Sequence, residues 1–174
     1  MHIMIDIETL GTGLDATVLS IGACTMERLS GLRRGFHVRL DWKRQHRAID
    51  PGTVAWWMEQ SNAARHKVFS EGTDQLSAIA SYEAFMDYVA SIGGPKNLRV
   101  WCHGATFDAP ILENLWGRVP WRFSAVRDTR TLYELAGVAP RRGDDHHDAL
   151  ADARAQTDAV WAALDALGID NLPS

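Results

Sequence analysis

Cysteine is scarce in this chain: Cys24 and Cys102 are the only two in 174 residues. They share no CxxC spacing, which argues against a disulfide scaffold or a thiolate metal site. Each lies in an apolar, strand-like run and is expected to be a free buried thiol in a reducing cytoplasm. No apolar run is long enough to cross a membrane. A first strand beginning at residue 2 leaves no room for a signal peptide, so the expected location is cytoplasmic. Positive charge is also short, with 18 Lys and Arg against 22 Asp and Glu for a net charge of −4. That balance excludes a protein held on nucleic acid by bulk charge, but not an enzyme that grips a chain end. Repeats, low-complexity tracts and linkers are absent. Residues 1–174 are therefore read as one domain, and a hydrophobic content of 46% supports a packed core.

What the chain does contain is ordered. In residues 2–8, Ile3, Ile5 and Ile7 alternate with Met4, Asp6 and Glu8, which marks a strand. Gly11 and Gly13 follow as a turn. Residues 17–27 and 34–40 read as two more strands, close enough in sequence for an antiparallel meander. Asp50-Pro51 is an N-cap followed by proline at the first helical position, and opens a helix through TVAWWMEQS. Further helices are expected over about 77–92, 106–116, 129–135 and 147–167, with a buried strand at 98–103. The last helix carries Leu150, Val160, Leu164 and Leu167 on its apolar side. Three strands followed by alternating helices and strands imply an α/β fold, a mixed sheet flanked by helices.

The informative residues are acids. Asp6 and Glu8 project from one face of a strand near its C-terminal end, with roots about 7 Å apart. Adjacent carboxylates repel unless they are solvated, protonated, paired with a base or bridged by a cation. Asp108, in WCHGATFDAPIL, stands in the first turn of a helix, where it could equally complement the helix dipole. GDDHHDALADA crowds Asp144, Asp145, His146, His147, Asp148 and Asp152 around a helix start, with Asp144 or Asp145 suited to capping. Basic residues cluster at Arg33, Arg34, Arg39, Lys43, Arg44 and Arg47, and at Arg141 and Arg142. Each cluster is either solvated surface or a substrate contact.

Asp6-Ile7-Glu8-Thr9, then His103-Gly104-Ala105-Thr106-Phe107-Asp108, then His147-Asp148-Ala149-Leu150-Ala151-Asp152-Ala153 resemble, in order, the three motifs of the DEDDh, DnaQ-like 3'-5' exonucleases. TVAWWMEQSNAAR resembles a narrower branch, the phage DexA-like and mycobacterial exoribonuclease-like proteins related to exodeoxyribonuclease VIII. The resemblance spans residues 6–153 and implies an RNase H-like fold. It implies Asp6, Glu8, Asp108 and Asp152 as ligands of two Mg²⁺ or Mn²⁺ ions and His147 as general base. One departure is Gly104, where the family usually has asparagine. The family spacing selects His147 over His146. Five residues differ by about 140° on an ideal helix, so His147 must sit at or before the first turn to face Asp152. Asp148, four residues before Asp152, is the rival ligand.

The residue types suit that chemistry. Carboxylates are hard donors for Mg²⁺ or Mn²⁺, and no His/Cys set has structural zinc spacing. Two ions stabilise the attacking and leaving oxygens of a phosphodiester displacement, and a histidine near neutrality accepts the proton of water. The resemblance also implies that Thr9 and Leu10 touch the terminal nucleotide. His103, Phe107 and Trp57 complete the expected substrate contacts, although Phe107 also suits the core. Trp56 and Trp57 point to different sides of their helix, one inward and one toward a nucleotide or a partner subunit. Asp128-Thr129 reads as a helix N-cap.

The expected activity is release of nucleoside 5'-monophosphates from single-stranded 3' ends or 3' overhangs. The phage-like resemblance leans to DNA over RNA. The alternatives are an exoribonuclease of the same fold, an RNase H-like endonuclease or related phosphodiesterase, and a non-catalytic nucleic-acid-binding scaffold. Several tryptophans on an acidic chain of this size also suggest a homodimer interface.

Overall fold

The computed structural model describes residues 1–70, 72, 74–138 and 147–172. Six strands form one mixed sheet in the order β4-β3-β2-β1-β5-β6. β1 (His2–Thr9), β2 (Val18–Thr25) and β3 (Gly35–Leu40) make the expected antiparallel meander. β5 (Arg99–Cys102) pairs parallel with β1, and β6 (Val126–Asp128) pairs parallel with β5. β4 (Gln75–Leu76) pairs parallel with β3. β4 and β6 were not anticipated: two or three residues are too few for alternation to register.

Among the described residues, six α-helices flank the sheet: α1 (Pro51–Glu59), α2 (Asn62–Phe69), α3 (Ala78–Ser91), α4 (Asp108–Trp116), α5 (Thr129–Ala136) and α6 (Ala149–Ala166). The helix expected from Pro51 stops at Glu59, because Ser61 opens α2 by accepting the Ala64 N–H. Asp50 and Asp128 cap α1 and α5 as expected.

Period-two alternation sorts the core into two layers. Ile3, Ile5 and Ile7 pack with Phe85, Val89, Ile111 and Leu112 from α3 and α4. Met4 points the other way, into a layer with Tyr133 of α5 and Ala153, Val160, Ala163 and Leu164 of α6. Asp6 and Glu8 continue the Met4 row, so the strand aims both acids at the start of α6.

Two features bring that helix start to them. Small residues, Ala149, Ala153, Thr157, Ala159 and Ala163, form much of the buried side of α6. Beneath it lies Gly22, the β2 partner of Asp6, where a Cβ would stand well inside van der Waals contact of the Ala149 and Leu150 backbone. The apolar side of α6 is shorter than expected: Leu167 falls at the C-cap and is exposed. Both cysteines are free and buried, as expected. Six of the seven tryptophans are buried or half-buried within this chain, and Trp56 is exposed. Among the described residues, no helix is long and apolar enough to cross a membrane.

Candidate active site

β5 ends at Cys102, opposite Ile5, so β1 runs on past it and presents Asp6, Ile7 and Glu8 beyond the paired edge. The chain turns through Gly104–Phe107 into α4. This brings Asp108, only 2% exposed, to the Ile7 main-chain N–H, which bonds to its carboxylate. A buried carboxylate that takes up a vacated ladder position is more than a partner for the helix dipole.

From the other side, α6 supplies Asp152. Its N-cap is Asp148, whose carboxylate accepts the Ala151 N–H at 3.0 Å and lies 3.6 Å from Lys67 Nζ. That capping role gives Asp148 a structural task, while its charge still reaches Glu8. His147 precedes the cap with φ of 65°, and its N–H donates to Asp152 Oδ2 at 3.1 Å. The left-handed turn swings the imidazole toward the acids, as a residue five before Asp152 requires. The ligand atoms of Glu8, His147 and Asp152 lie within 4.8 Å of one another. Indoles hem in the imidazole, with Trp56 at 4.7 Å and Trp57 at 5.5 Å between ring centroids, both edge-on. His146, Asp144, Asp145, Arg141 and Arg142 lie outside the described residues.

Crowding acids in a buried place raises their affinity for protons. Burial, then Asp152, Asp108 and Asp148, push the Glu8 carboxyl up to about 8. Burial pushes Asp108 up to about 7, although main-chain N–H groups and Arg130 pull against it. Asp6 is held well above the ordinary carboxylate range by burial and by Asp108, Glu8 and Asp152, with a hydrogen bond from Gln156 opposing the shift. That amide donates from Nε2 to Asp6 Oδ1 at 2.7 Å. Gln156 was missed in the sequence, although its position four residues after Asp152 places it on the same helical face. The donor set suits a hard divalent cation: it is mostly carboxylate oxygen, and its mutual repulsion is what such an ion relieves.

The expected substrate contacts fare unevenly. Leu10 is buried with Leu19, Trp57 and Val68. Its N–H donates to Thr17 and its carbonyl accepts from Asp50, so neither side chain nor backbone faces outward for a nucleotide. Thr9 is buried, with its hydroxyl on the Gly11 carbonyl and its own carbonyl taking the Trp57 indole N–H at 2.9 Å. Trp57 is 1% exposed and forms a floor, whereas Trp56 is the exposed indole. His103 Nδ1 sits 2.9 Å from Thr129 Oγ1, drawn toward α5. Phe107 does both jobs considered for it, packing on the core and lining an open pocket of about 410 Å³. Glu8, Thr9, Gly11, Thr12, Thr53 and Trp56 also line that pocket. Its volume falls in the range typical for small-ligand sites.

The basic stretch from Arg33 to Arg47 is largely structural. Arg33 bonds the Glu27 carbonyl and Asp158, Arg34 the Ser91 carbonyl, Arg39 the Ser70 carbonyl, and Arg47 the Leu14 and Ala16 carbonyls. Arg44 is exposed beside Asp41, and Lys43 lies over the Trp42 ring.

A family model, the 3'-5' exoribonuclease Rv2179c-like domain, matches residues 1–164. The chain belongs to this family. It thereby falls within the DnaQ-like 3'-5' exonuclease superfamily. The exodeoxyribonuclease of Enterobacteria phage T4 is 32% identical over 125 residues, covering 64% of this chain and 54% of the phage protein. The chain thus spans about half the length of that relative. The structure of Exonuclease X in complex with 5' overhanging duplex DNA superposes with a TM-score of 0.54, covering 97% of this chain and 93% of that one. At 17% identity, this likeness speaks for the RNase H-like fold alone.

Proposed function

We propose that this protein is a divalent-metal-dependent 3'-5' exonuclease. It removes nucleoside 5'-monophosphates from the 3' end of a single strand or overhang, with DNA the preferred strand. The observation that carries the proposal is the convergence of Glu8, His147 and Asp152 within 4.8 Å, with Asp6 and Asp108 buried close by. Asp6, Glu8, Asp108 and Asp152 would hold Mg²⁺ or Mn²⁺. When bound, such ions supply positive charge against the oxygens of the scissile phosphodiester. Phe107, Trp56 and Trp57 line the pocket in which a terminal base would lie. The His147 imidazole takes the proton of the attacking water, and its bond to Asp152 through the main chain fixes where the ring begins. RNA is the second reading, favoured by the description of the matching family model.

One gel tests the proposal: 5'-labelled DNA and RNA oligomers, linear and circular, with Mg²⁺, Mn²⁺ or chelator. A descending ladder that needs the cation and spares circles is expected. Cutting of circles, or full hydrolysis in excess chelator, would overturn it.

His147→Ala should slow turnover by roughly 10²–10⁴-fold, the usual span for a general base, while metal affinity changes little. Single-turnover rates and a metal titration by calorimetry check both parts. Loss of metal binding in His147→Asn as well, which keeps the left-handed turn, would make His147 a ligand.

A further inference from the structure

A phosphodiester strand is a polyanion, and this site meets it with acids: Asp6, Glu8, Asp108, Asp128, Asp148 and Asp152. Most arginines of the 33–47 stretch are already committed to main-chain carbonyls. Another cation stands at the site's edge. Arg130 is the second residue of α5 and is exposed. Its guanidinium lies across Gly104: the Cζ, Nε and Nη2 atoms are 3.6, 3.7 and 3.8 Å from where a Cβ on that glycine would be. The charge is near enough to pull the Asp108 and Asp128 carboxyls downward.

The seat under the guanidinium is built. Gly104 has φ of 111°, a backbone conformation that side chains rarely adopt, and the Arg130 guanidinium lies over it at van der Waals distance. The next residue is anchored, with Ala105 N–H donating to Asp128 Oδ2 at 2.6 Å. Asp128 also caps α5 through the Thr131 N–H at 3.1 Å, so one carboxylate fastens the Gly104 loop to the helix that carries Arg130. The same loop walls two cavities. Phe107 lines the pocket beside Glu8, while Ala105 and Thr106 line a second pocket of about 390 Å³ with Trp121 and Phe123. Arg130 stands over that same loop.

We propose that Arg130 binds the substrate strand, gripping the non-bridging oxygens of a phosphate at or next to the scissile bond. The proposal rests on the exonuclease reading. A guanidinium offers two parallel donors to such a phosphate, which a lysine cannot reproduce.

The test uses the whole protein, Arg130→Gln and Arg130→Lys, with a fluorescent single-stranded oligomer. Anisotropy in chelator gives affinity without hydrolysis, and Mg²⁺ kinetics give KM and kcat. In Arg130→Gln, Kd and KM should rise about 5–20-fold, and the slope of log K against log salt should shrink by about 0.7, the value for one single-strand phosphate contact. kcat should move less than KM, and Arg130→Lys should recover part of the loss. One neutral methylphosphonate, stepped along the oligomer, should at a single position make wild type and Arg130→Gln equal. Unchanged KM and salt slope would overturn the proposal. So would a fall in kcat alone, which would make Arg130 a support for Asp108. If wild type neither binds nor degrades any oligomer, the exonuclease reading itself fails and this proposal goes with it.

Discussion

Replacing Glu8 with Gln should destroy activity and stabilise the metal-free fold in the same stroke. Glu8 is 8% exposed and its carboxyl is pushed up to about 8 by burial and three neighbouring acids. An acid whose folded value lies above its unfolded value favours the native state while protonated. That advantage is complete below the unfolded value of about 4.5 and is lost as pH rises through about 8. At pH 8 in chelator the native protein therefore carries a penalty on the order of 1–3 kcal/mol from burying this charge and from its repulsion by the neighbouring acids. Glu8→Gln removes it, and the melting temperature should rise by roughly 3–8 °C, since 1 kcal/mol moves a domain of this size by about 2–4 °C. The gain should shrink at pH 5, where wild type is protonated, and in saturating Mg²⁺, where a cation replaces the proton. Activity should fall at least ~10³-fold, as loss of several kcal/mol of charge stabilisation requires. Scanning calorimetry at two pH values, with and without Mg²⁺, checks the first half and a ladder assay the second. A melting temperature that falls at pH 8 would show that Glu8 holds the fold together rather than straining it.

Gly22→Ala should damage the site without touching any acid. The added methyl would collide with the Ala149 and Leu150 main chain, which has no flexible end to swing aside. The start of α6 must lift, and Asp152 and the His147 turn lift with it. Overpacking of this kind costs about 1–3 kcal/mol or more, and a displacement near 1 Å at a reacting centre costs about 10²-fold in rate. Gly35→Ala is the control. Its Cβ would meet Arg154 Nη2 at 2.9 Å and the Leu150 methyls at 3.2 Å, side-chain ends that can move. It should cost little activity. Equal rates for Gly22→Ala and wild type would show that α6 can tilt without disturbing the site.

The fold was legible where period and length cooperate. β1 announces itself through Ile3, Ile5 and Ile7, and the same alternation places Asp6 and Glu8 on the α6 face. What stayed hidden depends on comparisons between elements. Asp108 is an ordinary first-turn acid until β5 is found to stop at Cys102, which leaves the Ile7 N–H for it. Adjacent tryptophans had to diverge, but only the position of the helix against β1 decides that Trp57 seals the core while Trp56 faces out. Leu10 is buried for a similar reason: α1 and α2 cover the start of the turn after β1. Gly22 gave no signal of its own in a strand, since the helix that needs the space lies 127 positions later.

His147 joins two roles that are usually kept apart. Its ring faces the acids, while its backbone, at φ of 65°, is the joint through which the chain enters α6. A left-handed residue costs roughly 1–2 kcal/mol, and Asn and Asp bear it more easily than Ala does. Evolution therefore has few cheap exits at this position: most replacements would lose the proton acceptor and bend the helix entrance together. Asn leaves the entrance nearly intact. The His147→Asn protein is thus the one in which chemistry alone has been subtracted, and the difference between it and His147→Ala measures the joint.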